Sequence, residues 1–172
     1  MYQLVLIFDH ESNKLINNYN KLIENEINYN YLSSHETLIH LTVATYKTIS
    51  GEYFLHADTI FNNYVSDYLD IVSFGVFNQN TLYLLPVYNN YLHQLLLDTS
   101  SLLDYVTISN SNRYILFNCV PHISIARKLA DKQMIKSLTV INTHFKPFKV
   151  KAKGVVLVKT TPYKIIKEWN FN

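Results

Sequence analysis

Hydrophobic and polar positions change rhythm repeatedly along this chain, and each change marks an element. Residues 2–8 are an almost unbroken apolar run, the mark of a buried strand. Leu15, Ile16, Tyr19, Leu22 and Ile23 then recur at i, i+1, i+4, i+7 and i+8. That spacing predicts an amphipathic helix over 12–26 with Ser12 as its cap. A polar loop over 28–37, a strand over 39–45, a helix over 52–68 and a strand over 71–77 follow. Asn78-Gln79-Asn80 then turns the chain into a strand over 82–87. The remainder reads as a helix over 90–105, a loop over 108–112, a strand over 119–127, a helix over 131–141 and strands over 148–159 and 163–169.

Two of these strands carry the same five-residue pattern, His40-Leu41-Thr42-Val43-Ala44 and His122-Ile123-Ser124-Ile125-Ala126. The histidines stand 82 residues apart in a chain of 172. The same offset carries 70–77 onto 152–159 and 81–87 onto 163–169, so what repeats is the pattern of elements rather than residue identity. Two copies of so long a period do not make a solenoid. They predict two α/β lobes, approximately 1–80 and 81–172 and able to exchange terminal strands, facing each other within one domain spanning 1–172.

Side chains alternate along a strand. His40, Thr42 and Ala44 therefore share one face and His122, Ser124 and Ala126 another, opposed to Leu41, Val43, Ile123 and Ile125. If the two sheets face each other, the four polar side chains meet in one groove, with the alanines leaving room for a ligand. Arg127 is a candidate for holding a phosphate, although a regular strand turns it away from His122. Tyr46, Phe77 and Tyr83 lie near the predicted rim and are candidates for stacking on a base. His35 stands in the loop before the first motif strand, within reach of the groove but without a partner pattern of its own, and Cys119 falls on the strand face opposite His122.

Composition narrows the class. With 48% hydrophobic and 16% charged residues the chain is globular, no stretch reaches the roughly 18–20 apolar residues of a membrane span, and no secretory leader is legible. The expectation is a cytoplasmic monomer without a membrane partner. A single cysteine, Cys119, excludes an internal disulfide. The net charge of +2 conceals an imbalance: residues 1–86 carry −6 and residues 87–172 carry +8. Such a field steers anions. Lys149, Lys151 and Lys153, at alternate positions, read as the solvated face of a strand, and duplex DNA would call for a more basic domain.

Paired histidines suit one kind of chemistry. Cleaving a phosphodiester requires a proton taken from the attacking oxygen and another given to the leaving oxygen, and imidazole does either near neutral pH. Hydroxyls such as those of Thr42 and Ser124 donate hydrogen bonds to phosphate oxygens where charge develops. Two histidines without a carboxylate or cysteine on the same faces fall short of the three protein ligands of a catalytic zinc, so neither metal nor cofactor is expected.

On His40-Leu-Thr42-Val-Ala44 and Pro121-His122-Ile-Ser124-Ile-Ala-Arg127 the chain resembles the two-histidine (2H) phosphoesterase superfamily, which includes 2′-5′ RNA ligase-like proteins and 2′,3′-cyclic nucleotide phosphodiesterases. The resemblance implies an α+β, bilobal, pseudo-symmetric fold in which two antiparallel-rich sheets face each other across a groove with helices outside. It also implies hydrolysis of 2′,3′-cyclic or 2′-5′-linked phosphodiesters in a nucleotide, cyclic oligonucleotide or RNA end. Thr45 stands where the second motif has Arg127, and Ser124 replaces the commoner threonine. Which histidine is base and which acid stays open at this level. The other class in play is a catalytically idle nucleotide- or RNA-binding module of the same fold, against which the two intact motifs argue.

Overall fold

The apolar run at the start of the chain becomes β1 (Tyr2–Phe8), which runs between β2 (His40–Ile49) and β7 (Phe148–Thr160) and is buried on both faces. Leu4, Leu6 and Phe8 enter the main core, while Val5 and Ile7 pack with Val156 and Val158 on the opposite face. The computed structural model describes the chain except for residues 30, 33, 35–37 and 109–118, so His35 and most of the predicted 108–112 loop lie outside the described residues. The other elements are α1 (His10–Ile27), α2 (Tyr53–Phe61), β3 (Tyr68–Phe77), β4 (Thr81–Pro86), α3 (Asn90–Ser100), β5 (Val106–Ile108), β6 (Ile123–Ala126), α4 (Asp131–His144) and β8 (Tyr163–Asn170).

Several boundaries differ from the periodicity for local reasons. Asp9, not Ser12, caps α1: its Oδ1 accepts from the Ser12 N–H at 2.8 Å. Ser12 instead faces inward, where its Oγ accepts from the Lys151 N–H at 2.7 Å and ties the helix to β7. The helix predicted over 52–68 stops at Phe61, because Tyr68–Ile71 pair with Phe148–Lys151 and the chain must already be extended there. α3 ends at Ser100, and a 3-10 turn at Leu103–Tyr105 leads into β5, an unpredicted strand that pairs with β2. The second motif strand shrinks to Ile123–Ala126, with His122 just before it.

Every strand pairing among the described residues is antiparallel, and the fold class is α+β as expected. Six strands close a circuit, β1–β2–β6–β4–β3–β7 and back to β1, with β8 added to β7 and β5 to β2. Leu41 pairs with Ile123 across β2 and β6; these residues are themselves 82 apart, so a local two-fold passes through that contact. On either side of it the chain exchanges strands. β3, from the first repeat, pairs along β4 of the second, and β7, from the second, pairs along β1 of the first. Lys149 and Lys153 are exposed on β7 beside buried Val150 and Ala152, and reach Asp70 and Glu168 at 3.6 Å each. That basic run is a solvated, partly neutralised strand face.

Candidate active site

A β-bulge inside each motif decides what faces the groove. Across β1 and β2, Leu4 opposes Ala44 and Val5 opposes Thr42, which leaves Val43 as an extra residue. Across β4 and β6, Leu82 opposes Ala126 and Tyr83 opposes Ser124, which leaves Ile125 extra. Val43 and Ile125 are again 82 apart. An inserted residue reverses the alternation beyond it. His40, Thr42, His122 and Ser124, before the bulges, keep the groove side, while Ala44 and Ala126 swing into the core with Val43 and Ile125. The expectation that the alanines leave space for a ligand is therefore corrected.

The same reversal moves two further candidates. Tyr46, 1% exposed, lies in the core with its ring edge-on to Tyr53 at 5.6 Å, and does not line the groove. Arg127, which a regular strand would turn away, instead lines the groove. β6 ends at Ala126, and Lys128, at φ 58°, turns the chain just beyond Arg127.

The groove is a cleft of about 540 Å³ that His40, Thr42, His122 and Ser124 enter together. Its rim repeats the symmetry, with Asn78 answered by Thr160 and Thr81 by Tyr163, each pair 82 apart. Asn78 and Gln79, at φ 48° and 60°, are the two central residues of a tight hairpin turn of the type that needs positive φ at both positions. Sequence reasoning missed Gln3, Asn78, Thr81, Thr160 and Tyr163 as lining residues; the last four form two pairs related by the offset of 82.

Both histidines are held the same way. His40 Nδ1 lies 2.6 Å from the Leu38 carbonyl oxygen and His122 Nδ1 lies 2.8 Å from that of Val120, in each case two residues back. A carbonyl only accepts, so each Nδ1–H donates and Nε2 is the nitrogen that exchanges protons. Burial lowers the pKa of both rings below the usual histidine value, opposed by these carbonyl bonds and reinforced by the positive charge of Arg127. For His40 the charge of His122 lowers it further. A phosphate anion between them favours the charged form and reverses that trend.

The two remaining aromatic candidates divide. Phe77 lines the cleft and meets the His122 ring edge-on at 4.8 Å. Tyr83, 8% exposed, lies behind it, stacked on Phe77 at 4.2 Å and edge-on to His122 at 5.5 Å, so it supports the histidine rather than offering a face to a base. Gly75 makes room for this ring, since a Cβ there would collide with the Tyr83 phenol. Gly75→Ala should displace Tyr83 and with it His122, lowering kcat/KM about 10- to 100-fold while the protein stays folded. Unchanged kinetics with an unchanged thermal melt would uncouple Tyr83 from the site. Cys119 lines neither the cleft nor the cavity beside it, and burial pushes its thiol up to about 11.

The fold as a whole is LigT-like. Among solved structures, that of E. coli LigT complexed with 3′-AMP superposes with a TM-score of 0.58 at 15% identity, covering 99% of this chain and 97% of that one. TT0787 of Thermus thermophilus gives 0.60 at 13% identity, and a crystal structure described simply as that of a phosphoesterase gives 0.56 at 16%, with the same coverage in both cases. No family model and no curated protein matches the chain. The likeness is one of fold.

Proposed function

We propose that this chain is a metal-independent phosphodiesterase that hydrolyses 2′,3′-cyclic or 2′-5′-linked phosphodiesters in nucleotides, cyclic oligonucleotides or RNA ends. The reading is carried by the paired histidines, which enter one cleft from equivalent positions with the same nitrogen committed to a backbone carbonyl. Solved structures of LigT contain 3′-AMP, NADP+ and ATP, and nucleotide ligands of that kind suit a cleft with this chemistry.

Residues 1–172 act in this reading as one unit, each repeat contributing one histidine. The reaction needs one imidazole and one imidazolium. The two rings are held alike, so either can be the base with the other as acid; in the direction written here His40 is the base and His122 the acid. Water attacks phosphorus and loses its proton to His40 Nε2. The bond from phosphorus to the ribose oxygen breaks, and that oxygen receives the proton of His122 Nε2. Thr42 and Ser124 hydroxyls and the Arg127 guanidinium hold the non-bridging oxygens as charge gathers on them.

The described residues that line the cleft include no carboxylate and no thiol, so the donors for a divalent ion are two imidazoles and a few hydroxyls and amides. Activity on a panel of 2′,3′-cyclic, 2′-5′-linked and cyclic-oligonucleotide substrates should therefore survive prolonged EDTA treatment. Added Mg²⁺, Mn²⁺ or Zn²⁺ should change it by no more than about twofold, within the range of charge screening. Loss of activity on chelation, restored by one particular ion, would overturn the mechanism and recast the histidines as ligands. Binding across the panel without turnover would identify an idle nucleotide-binding module instead.

A further inference from the structure

Each motif strand leads past its alanine to one more residue, Thr45 in the first and Arg127 in the second, and the two peptides are held in different ways. β2 runs for ten residues, so Thr45 stays inside the sheet, opposite Gln3 of β1. β6 stops after four. Its last pairing among the described residues is Ala126 with Leu82, which leaves the Arg127 peptide beyond the ladder. A backbone N–H in that position needs an acceptor from elsewhere in the molecule.

The acceptor is a phenol oxygen. Arg127 N–H donates to Tyr29 Oη at 3.3 Å, from the second repeat to the first and across 98 residues of sequence. Tyr29 is placed by the end of α1, where Asn28 takes the left-handed conformation at φ 48° and the Tyr29 N–H donates to the Glu24 carbonyl at 3.1 Å. Its ring packs against the main core, and burial raises its pKa above the usual tyrosine value, so the hydroxyl is neutral. Two residues on, Tyr31 meets the next side chain of the motif. Lys128 Nζ lies 4.7 Å from the Tyr31 ring centroid, and the rings of Tyr29 and Tyr31 stack at 6.3 Å. On the other side of Arg127, the Leu129 N–H donates to the Asn80 carbonyl at 3.0 Å, so the arginine stands between two anchors.

What those anchors aim is the guanidinium. A second cavity, of about 480 Å³, opens beside the cleft and shares His40, Ser124 and Arg127 with it, whereas Tyr29 lines neither. We infer that Tyr29 is a positioning residue for Arg127: its hydroxyl stands in for the missing strand, fixes the peptide from which the side chain extends, and directs that side chain to the junction of the two cavities. The first repeat then contributes more than its own histidine, because it also sets the place of the cation supplied by the second. The inference rests on the phosphodiesterase reading for the phosphate that Arg127 holds.

A double-variant cycle tests it. Tyr29→Phe keeps the ring and its packing and removes one acceptor, so the thermal melt should hardly move while kcat on a verified substrate falls roughly 2- to 10-fold, the net worth of one hydrogen bond. KM should change less, because the guanidinium contacts tighten as charge gathers on the phosphate. Arg127→Ala should cost more than ~10-fold, and Tyr29→Phe added to it should cost nothing further. Equal losses from Tyr29→Phe with and without Arg127 would overturn the assignment, and so would undiminished turnover in Tyr29→Phe alone. If no member of the substrate panel is cleaved, the phosphodiesterase reading falls, and the same cycle read as affinity for 3′-AMP decides the positioning role by the same criterion. Independently of any ligand, the Arg127 amide should be protected from hydrogen exchange in the wild type and lose protection in Tyr29→Phe. An unprotected wild-type amide would remove the bond on which the inference stands.

Discussion

Replacing His40 or His122 with alanine should lower turnover at least ~10²-fold each, and the double variant should be little worse than the worse single one. Both rings serve one transfer, a proton taken at one side of the phosphate and given at the other, so removing the second after the first takes away little more. A folded single variant with near-normal turnover on a verified substrate would refute the assignment. The same variants carry a stability signature. Burial holds the His40 pKa below its ordinary value, so the folded protein favours the neutral ring and the unfolded chain binds the proton more readily. The wild type is accordingly at full stability above about pH 6.5, the unfolded value, and loses stability as the pH falls from there through the lower folded value. His40→Ala should show a smaller loss between pH 7.5 and pH 5, read from urea midpoints. That window lies above the range in which Asp9 and Asp58, whose pKa values are lowered by partners, lose their own contributions.

Thr42→Val and Ser124→Ala should each cost about 2–4 kcal/mol of transition-state stabilisation, which is roughly 30- to 1,000-fold in kcat. Thr42 is 6% exposed and lies two residues beyond His40 on the same face; Ser124 has the same relation to His122 and lines both cavities. Valine preserves the volume of threonine, so the loss reports the hydroxyl rather than a void. Because the contacts strengthen as charge develops, KM should change far less than kcat. Steady-state kinetics on both variants provide the test, and unchanged kcat/KM in the pair would locate the phosphate elsewhere.

The offset of 82 was legible in the sequence, and with it the histidines, their hydroxyl neighbours and most elements. The bulges were not. Val43 and Ile125 look like any strand residue, and only the partner strand reveals that each of them has no opposite number. From that single extra residue follow the loss of Tyr46 to the core and the recovery of Arg127 for the groove. The start of α1 was misplaced because Asp9 and Ser12 are both good caps, and the choice depended on Lys151, 139 residues after Ser12, needing an acceptor. β5 escaped notice because a three-residue strand has no period to read.

Strand exchange between the repeats has a consequence for how the molecule comes into being. Tyr2 pairs with Lys159 and Leu6 with Val155, so the first strand finds one of its two neighbours only when almost all of the chain exists. At about 5–20 residues per second of synthesis, an apolar run from Leu4 to Phe8 waits many seconds without that neighbour. Neither repeat can mature ahead of the other, because each keeps the strand that closes its partner. The contact order is accordingly high and folding correspondingly slow. What gives the two histidines a common cleft also leaves the first strand without one of its edges covered until β7 is made.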